Sequence, residues 1–271
     1  MGGEPLSAYA GGMIICLYAG LLVTLAMLIA WIVQWRAGNA GWVDVFWTFS
    51  TGAALAAVAL AAPGVMWRHW CLAALLLVWS VRLGGHVAWR VATGPEDTRY
   101  AQMRAAAPSR FQARMFWLII GQGPVSGLLA LSVYQAAAQP EAAITGGDVA
   151  GLGVLLAALA GEALADWQLR AWRADPAHRG GICEIGLWSL CRHPNYLCEA
   201  LIWLAYPLIA VSLQRPASWL AFVAPVLMFL VLRYLTGVPP VEAAMAASRG
   251  EAYRLYQART SAMLPRWPRR S

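Results

Sequence analysis

Residues 186–213 read GLWSLCRHPNYLCEALIWLAYPLIAVSL. The first fourteen hold Arg192, His193, Asn195, Tyr196 and Glu199, in a chain with only four His and 12% charged residues. The remainder, from residue 197, is an apolar run. Glu199 therefore sits at or just inside a membrane boundary, where an ionisable group is costly to bury and marks a functional site by default. An interfacial loop anchored by Arg and Tyr is the simpler alternative. Such a loop needs one or two headgroup-binding side chains, and five hydrogen-bonding residues converge here.

The apolar pattern extends through the chain. The 271 residues are 60% hydrophobic and include 15 Trp, a composition that excludes an ordinary soluble domain. A helix needs about 20 apolar residues to cross the hydrocarbon core. Seven segments meet or approach that length: 9–35, 43–62, 69–91, 115–138, 149–172, 197–213 and 217–238. The reading is an all-α, polytopic membrane protein with seven transmembrane helices, forming one domain over residues 1–271. The N-terminus lacks a positive n-region and its first apolar run can span, so no cleavable signal peptide is expected.

Arginine sets the expected orientation. All twenty basic residues are Arg. Placing the N-terminus outside puts sixteen of them on inner segments and two, Arg68 and Arg215, on outer loops. That asymmetry predicts a cytoplasmic C-terminus. It also accounts for the formal charge of +7 without nucleic acid, since the Arg residues lie between apolar segments. After Pro239-Pro240, residues 241–258 are periodic but too polar to span, and are expected to form a helix on the inner surface. A Lys-free, Ala-rich chain points to a bacterial protein, hence to the bacterial cytoplasmic membrane. No obligate protein partner is evident.

Cys16 and Cys71 lie in apolar runs and read as core residues. Cys183, Cys191 and Cys198 lack CxxC spacing, so no metal site is expected. Walker A, GxGxxG, HExxH and GxSxG motifs are all absent from the sequence.

Polar residues inside the apolar segments carry the candidate chemistry. Glu162, Asp166 and Arg173 share a helical face, with Arg170 at its edge. An Asp166–Arg170 salt bridge within the helix accounts for Arg170 but leaves Glu162 in lipid, so a polar cavity is favoured. Arg82, His86 and Arg90 fall at i, i+4 and i+8. Asp44 opens the second segment, where it can also serve as a helix cap. Arg233 lies near the inner end of the last span. Glu242, Arg249, Tyr253 and Tyr256 follow one face of the C-terminal helix.

Five stretches together resemble the bacterial relatives of the steroid 5α-reductase family, which carry the DUF1295 domain. They are WVDVFW (42–47), RLGGHVAWR (82–90), GPEDTRYAQMR (94–104), GLWSLCRHPNYLCE (186–199) and YRLYQARTSAMLP (253–265). The resemblance implies a seven-helix reductase that uses NADPH to saturate the Δ4 bond of a 3-oxo-steroid or similar apolar enone. It implies that residues 1–138 form mainly the substrate side and 149–271 mainly the NADPH side. It assigns Asp166, Arg170, Arg173, Asn195 and Glu199 to the cofactor, with Glu162 where the family has Asn. His193, Tyr196, Arg233, Glu242, Arg249, Tyr253 and Tyr256 join that set. Family members hold the 3-oxo group with a Glu and a Tyr. Asp44 matches the Glu in placement, and His86 stands as the expected donor, with Tyr100 the next candidate.

Two other functions fit parts of the sequence. A membrane methyltransferase using S-adenosylmethionine would share RHPNY and the final stretch, but that cofactor carries no phosphate to engage Arg170, Arg173, Arg179 and Arg192. A lipid-binding or transport protein would use the polar stripe as a pathway.

Overall fold

In lipid every backbone polar group must find its partner within the chain, which selects helices for apolar runs of this length. The computed structural model describes residues 6–265, and among them the chain is all-α, with no β-strand. In order come α1 (Leu6–Ala37), α2 (Trp42–Ala61), α3 (Met66–Thr93), α4 (Thr98–Ala106), α5 (Phe111–Ala137) and α6 (Gly146–Ala174). They are followed by the one-turn α7 (Leu187–Leu190), α8 (Pro194–Ala210), α9 (Val223–Leu230), α10 (Val238–Arg249) and α11 (Glu251–Arg259).

Six helical stretches are long and apolar enough to cross a bilayer: Ala10–Ala37, Trp42–Ala61, Met66–Thr93, Pro108–Ala137, Gly146–Ala174 and Pro216–Arg249. The protein is a multi-pass membrane protein. The segment expected at 197–213 forms α8, which has 17 residues and is not among those six. The segment expected at 217–238 is not uniform. It begins as a 3-10 turn, Pro216–Phe222, and ends in a wide π turn, Val231–Leu235, closed by Thr236 N donating to Val231 O at 2.9 Å. The single helix expected over 241–258 is also divided. Gly250, at φ 56°, separates α10 from α11 in a backbone region that L side chains rarely adopt.

The chain divides into two compact units. One comprises the residues up to Val149 together with Tyr206–Ala224, and the other comprises Ala150–Ala205 with the residues from Pro225 onward.

In the first unit α1 and α5 pack antiparallel. Gln34 donates to Gln112 at 2.8 Å near one end, and Gly12 meets the Tyr134 ring near the other. Between these contacts a Cβ on Gly123 would stand 2.7 Å from Gly20 O, so the close approach requires glycine there. α2 packs on α3 and α5. Ser80 donates to Thr48 O, and Trp47 Nε1 donates to Ser126 Oγ at 3.2 Å. At the end of the unit beyond Ala61, Arg68 is fully buried. It forks onto Asp148 at 2.8 and 2.9 Å and also donates to the carbonyls of Gln139 and Glu141. This buried ion pair, its remaining donors satisfied by carbonyls, fixes how the loops at that end meet.

Candidate functional site

At the opposite end of the first unit, the turn between α3 and α4 brings a charged cluster to the start of α2. Asp97 caps α4 by accepting from Arg99 N at 3.0 Å, as a carboxylate at a helix N-terminus should. The cap points Arg99 and Tyr100 at Asp44, more than fifty positions earlier. Tyr100 Oη donates to Asp44 Oδ1 at 2.7 Å, and Arg99 Nη2 donates to Asp44 Oδ2 at 2.7 Å. Arg99 Nε reaches Asp97 Oδ1 at 3.0 Å, and Arg90 pairs with Asp97 Oδ2 at 3.1 Å. Glu96 accepts from Ala40 N at 2.8 Å and from Arg104, fastening the turn to the α1–α2 connection.

The electrostatics follow from these partners. Burial pushes the Asp97 carboxyl up, but Arg99 and the Arg99 amide outweigh it and hold it below the usual range. Glu96 is likewise lowered, burial being overcome by Arg104 and the Ala40 amide. Burial disfavours the Arg99 cation, yet Asp44, Tyr100 and Asp97 more than compensate, so Arg99 stays charged. Tyr100 is only 3% exposed, and burial together with Asp44 pushes its phenol well up. Its one proton is committed to Asp44. Arg99 Nη1, by contrast, donates to no acceptor among the described residues, and its side chain is 28% exposed. A guanidinium in this state can bind a ligand oxygen.

The expected pairing of Asp44 with His86 is thus not the one formed. Asp44 is held by Tyr100 and Arg99, and His86 lies half-buried in α3. Helix periodicity placed His86 on a polar face but could not show which side chains hold Asp44.

In the second unit the segment 186–199 is pinned at both ends. Gly186, at φ 55°, turns the chain so that Leu187 N meets Gln168 Oε1 at 3.0 Å and Trp188 Nε1 reaches Ala165 O at 2.9 Å. A Cβ on Gly186 would overlap the Gln168 side chain. Arg192 N and His193 N then donate to Ser261 O and Ala262 O at 2.9 and 3.0 Å. The Arg192 guanidinium binds Glu242 Oε1 at 2.7 Å and donates to the carbonyls of Gln257 and Thr260 at the end of α11. His193 Nε2 lies 3.0 Å from the same Glu242 oxygen, while its ring stacks on Tyr196. Gln257 fills Glu242 Oε2 at 2.9 Å, and Tyr256 donates to Trp188 O.

Arg192, His193, Glu242, Tyr253 and Tyr256 therefore satisfy one another and their neighbours. Burial, with Glu242 nearby, pushes the Tyr253 phenol up to about 12. Burial raises Cys191 to about 11 and Cys183 above its usual value, so both remain thiols. These cysteines are core groups rather than ready ligands.

The other half of the motif faces α6. Asn195 Nδ2 approaches Asp166 Oδ1 at 3.5 Å, and Glu199 accepts from Trp203 Nε1 at 2.9 Å. Glu162, Asp166 and Glu199 are buried. Arg170, Arg173 and Arg179 are exposed at the end of α6 and in the turn after it. Between them the ring of His178 stacks on Trp172 at 4.7 Å, and Gly181 leaves space for that indole.

The DUF1295 family profile, described as a protein of unknown function, matches residues 30–260. The chain belongs to the DUF1295 family. No curated protein matches it. The DUF1295 match takes in both clusters, Asp44–Arg99–Tyr100 and Arg192–His193–Glu242.

The remaining expected site residues of this DUF1295 protein are dispersed. Arg233 lies on the π turn with its guanidinium over the Tyr234 ring at 5.0 Å. Arg249 donates to Gly181 O at 3.3 Å. Arg99, Asp97 and Gln168 were not singled out from the sequence. The GPEDTR turn carried the signal for the first two, since an Asp two positions before an Arg at a helix start caps the helix and holds the Arg.

Proposed function

We propose that this DUF1295 protein is an NADPH-dependent membrane reductase of apolar enones, of the 3-oxo-Δ4-steroid kind, giving the 5α-reduced product. The observation that carries the reading is the cluster at Asp44, in which a charged guanidinium with a free N–H edge is held between two carboxylates and a buried phenol. Reduction of an enone needs a fixed donor where charge develops on the carbonyl oxygen. Arg99 Nη1 is that donor, and Asp44, Tyr100 and Asp97 hold it in place.

The second unit fits a dinucleotide by the chemistry of its donors. The second unit's Arg170, Arg173 and Arg179 offer exposed guanidinium groups to phosphates at the end of α6, and half-buried Asn195 with buried Asp166 and Glu199 offers a polar set for the carboxamide end. When bound, NADPH would supply hydride to the β-carbon of the enone. Arg99 Nη1 would stabilise the charge that develops on the carbonyl oxygen, and water would supply the proton that the α-carbon takes up. Arg192, His193 and Glu242 hold the segment from which Asn195 and Glu199 project.

Titrating NADPH into the purified protein tests the cofactor. Arg173→Ala and Arg179→Ala are each expected to raise Kd about tenfold by removing a charge-assisted phosphate contact. Arg254→Ala, exposed on α11, should leave it unchanged. Equal affinity in all four proteins would remove Arg173 and Arg179 from the site, and no measurable binding to the parent would remove NADPH from the proposal.

The proposal includes orientation. With α8 as a short seventh span, the N-terminus lies outside and the C-terminus in the cytoplasm of a bacterial cell. A reporter fused after Ser271 should be active only if it functions in the cytoplasm, and periplasmic activity would reverse the topology.

A further inference from the structure

The long helices of the first unit pack on one another, but the segment between α3 and α5 is held by charge. α4 is nine residues long and buries one side chain, Tyr100. A helix of that length is unstable by itself in water, so it stays formed through whatever fastens it to the unit. Polar ties join residues 96–104 to α2, α3 and the α1–α2 connection. Arg99 and Tyr100 bind Asp44, and Arg90 binds Asp97. Glu96 accepts from Ala40 N at 2.8 Å, and Arg104 donates both to Glu96 and to Gly38 O. The Arg104 guanidinium also lies over the buried Phe111 ring at 4.0 Å.

Exposure sets these ties apart from the ion pair at the other end of the unit. Arg68 and Asp148 are each 1% exposed, whereas Arg90 is 46% and Arg104 37% exposed. Dissolved salt screens pairs of the second kind and hardly touches the first. The segment also has a break at each end. α3 stops at Gly94, whose amide closes the last turn on Arg90 O at 2.9 Å. Ala107, at φ −155°, leaves the helical region, and Pro108 then opens a 3-10 turn ahead of α5. One buried side chain, water-exposed ties and a break on either side mark a segment that opens by itself.

We infer that residues 95–107 form a lid over Asp44, latched to the α1–α2 connection by Glu96 and Arg104, which opens without unfolding the membrane helices. Arg99 and Tyr100 ride on this lid. Closing brings the guanidinium and the phenol to Asp44, and opening takes both away and uncovers the carboxylate. Access to the cluster and its assembly are therefore one event. The latch pair touches none of the groups assigned to enone or cofactor, so the lid stands whether or not the reductase reading does.

The test is hydrogen–deuterium exchange, read by mass spectrometry, on the full-length protein in detergent without added ligand. Raising sodium chloride from about 0.05 M to about 0.5 M shortens the Debye length roughly threefold. Peptides covering α4 should then exchange several-fold faster, while peptides around Arg68 keep their rate. Glu96→Gln and Arg104→Gln should each give the fast exchange already at low salt and lose most of the salt response. Arg110→Gln should behave as the parent, since Arg110 is exposed beyond the lid and pairs with no carboxylate among the described residues. An α4 that ignores both salt and Glu96→Gln would overturn the inference. So would a salt response shared equally by the peptides around Arg68, because the whole unit would then be loosening. If neither latch variant folds, the parent decides: faster exchange confined to α4 at high salt supports the lid, and an unchanged rate overturns it.

Discussion

Arg192→Ala is expected to lower the stability of its unit by about 3–5 kcal/mol, as removal of one partner from a buried ion pair does. Arg192 is 9% exposed and Glu242 16%, so solvent cannot replace the lost contacts cheaply. The guanidinium joins Glu242 on α10 to the carbonyls of Gln257 and Thr260 at the end of α11. Without it Glu242 keeps only His193 and Gln257, and two helix-end carbonyls lose their donor. Arg192→Lys should recover little, because an ammonium cannot span a carboxylate and two carbonyls in one plane. Thermal unfolding in detergent reads the effect. A midpoint for either variant within a degree of the parent would show that the cluster is not the fastener its geometry describes. The result also bears on function, since a loss of NADPH binding in Arg192 variants would then follow from the displacement of Asn195 and Glu199 rather than from a missing phosphate contact.

Arg99→Gln is expected to reduce enone turnover about 10²–10³-fold, the usual cost of removing one donor from a developing oxyanion. NADPH affinity should be retained. Asp44→Asn should have an effect of similar size, because Asp44 Oδ2 holds Nη2 of the guanidinium whose Nη1 is the proposed donor. Tyr100→Phe should be milder, about tenfold, since it removes a hydrogen bond to Asp44 and not the donor itself. The Asp44→Asn, Arg99→Gln double variant should be little worse than the worse single one, because the two act as a unit. Turnover of progesterone per folded molecule measures all four. If Tyr100→Phe were the most damaging, the phenol would be the donor. Near-normal turnover in Arg99→Gln would remove the guanidinium from the chemistry.

Much of the fold was legible because its causes are local. A helix in lipid satisfies its own backbone, so the length of an apolar run fixes a spanning element without reference to the rest of the chain. The run read at 43–62 is the helix Trp42–Ala61, and 149–172 lies within Gly146–Ala174, with Glu162, Asp166, Arg170 and Arg173 on one unbroken helix. Where the backbone departs from regular helix, composition was a poorer guide. Nothing in the apolar run 217–238 announces the π turn at Val231–Leu235, and Gly250 could have been a tolerated helical glycine instead of the break between α10 and α11.

The sequence by itself determined that this is a helical membrane protein, and which side chains are too costly to leave in lipid without a partner. Tertiary structure alone decided which partners they found. Asp44 met Arg99 and Tyr100 rather than His86, and Arg192 and His193 met Glu242 some fifty positions away. Periodicity fixes neighbours on one helix, three or four residues apart. A guanidinium has several carboxylates it could bind across helices, and the choice among them rests on how the helices pack, which for α1 and α5 depends on small residues such as Gly20 and Gly123 that carry no charge pattern at all.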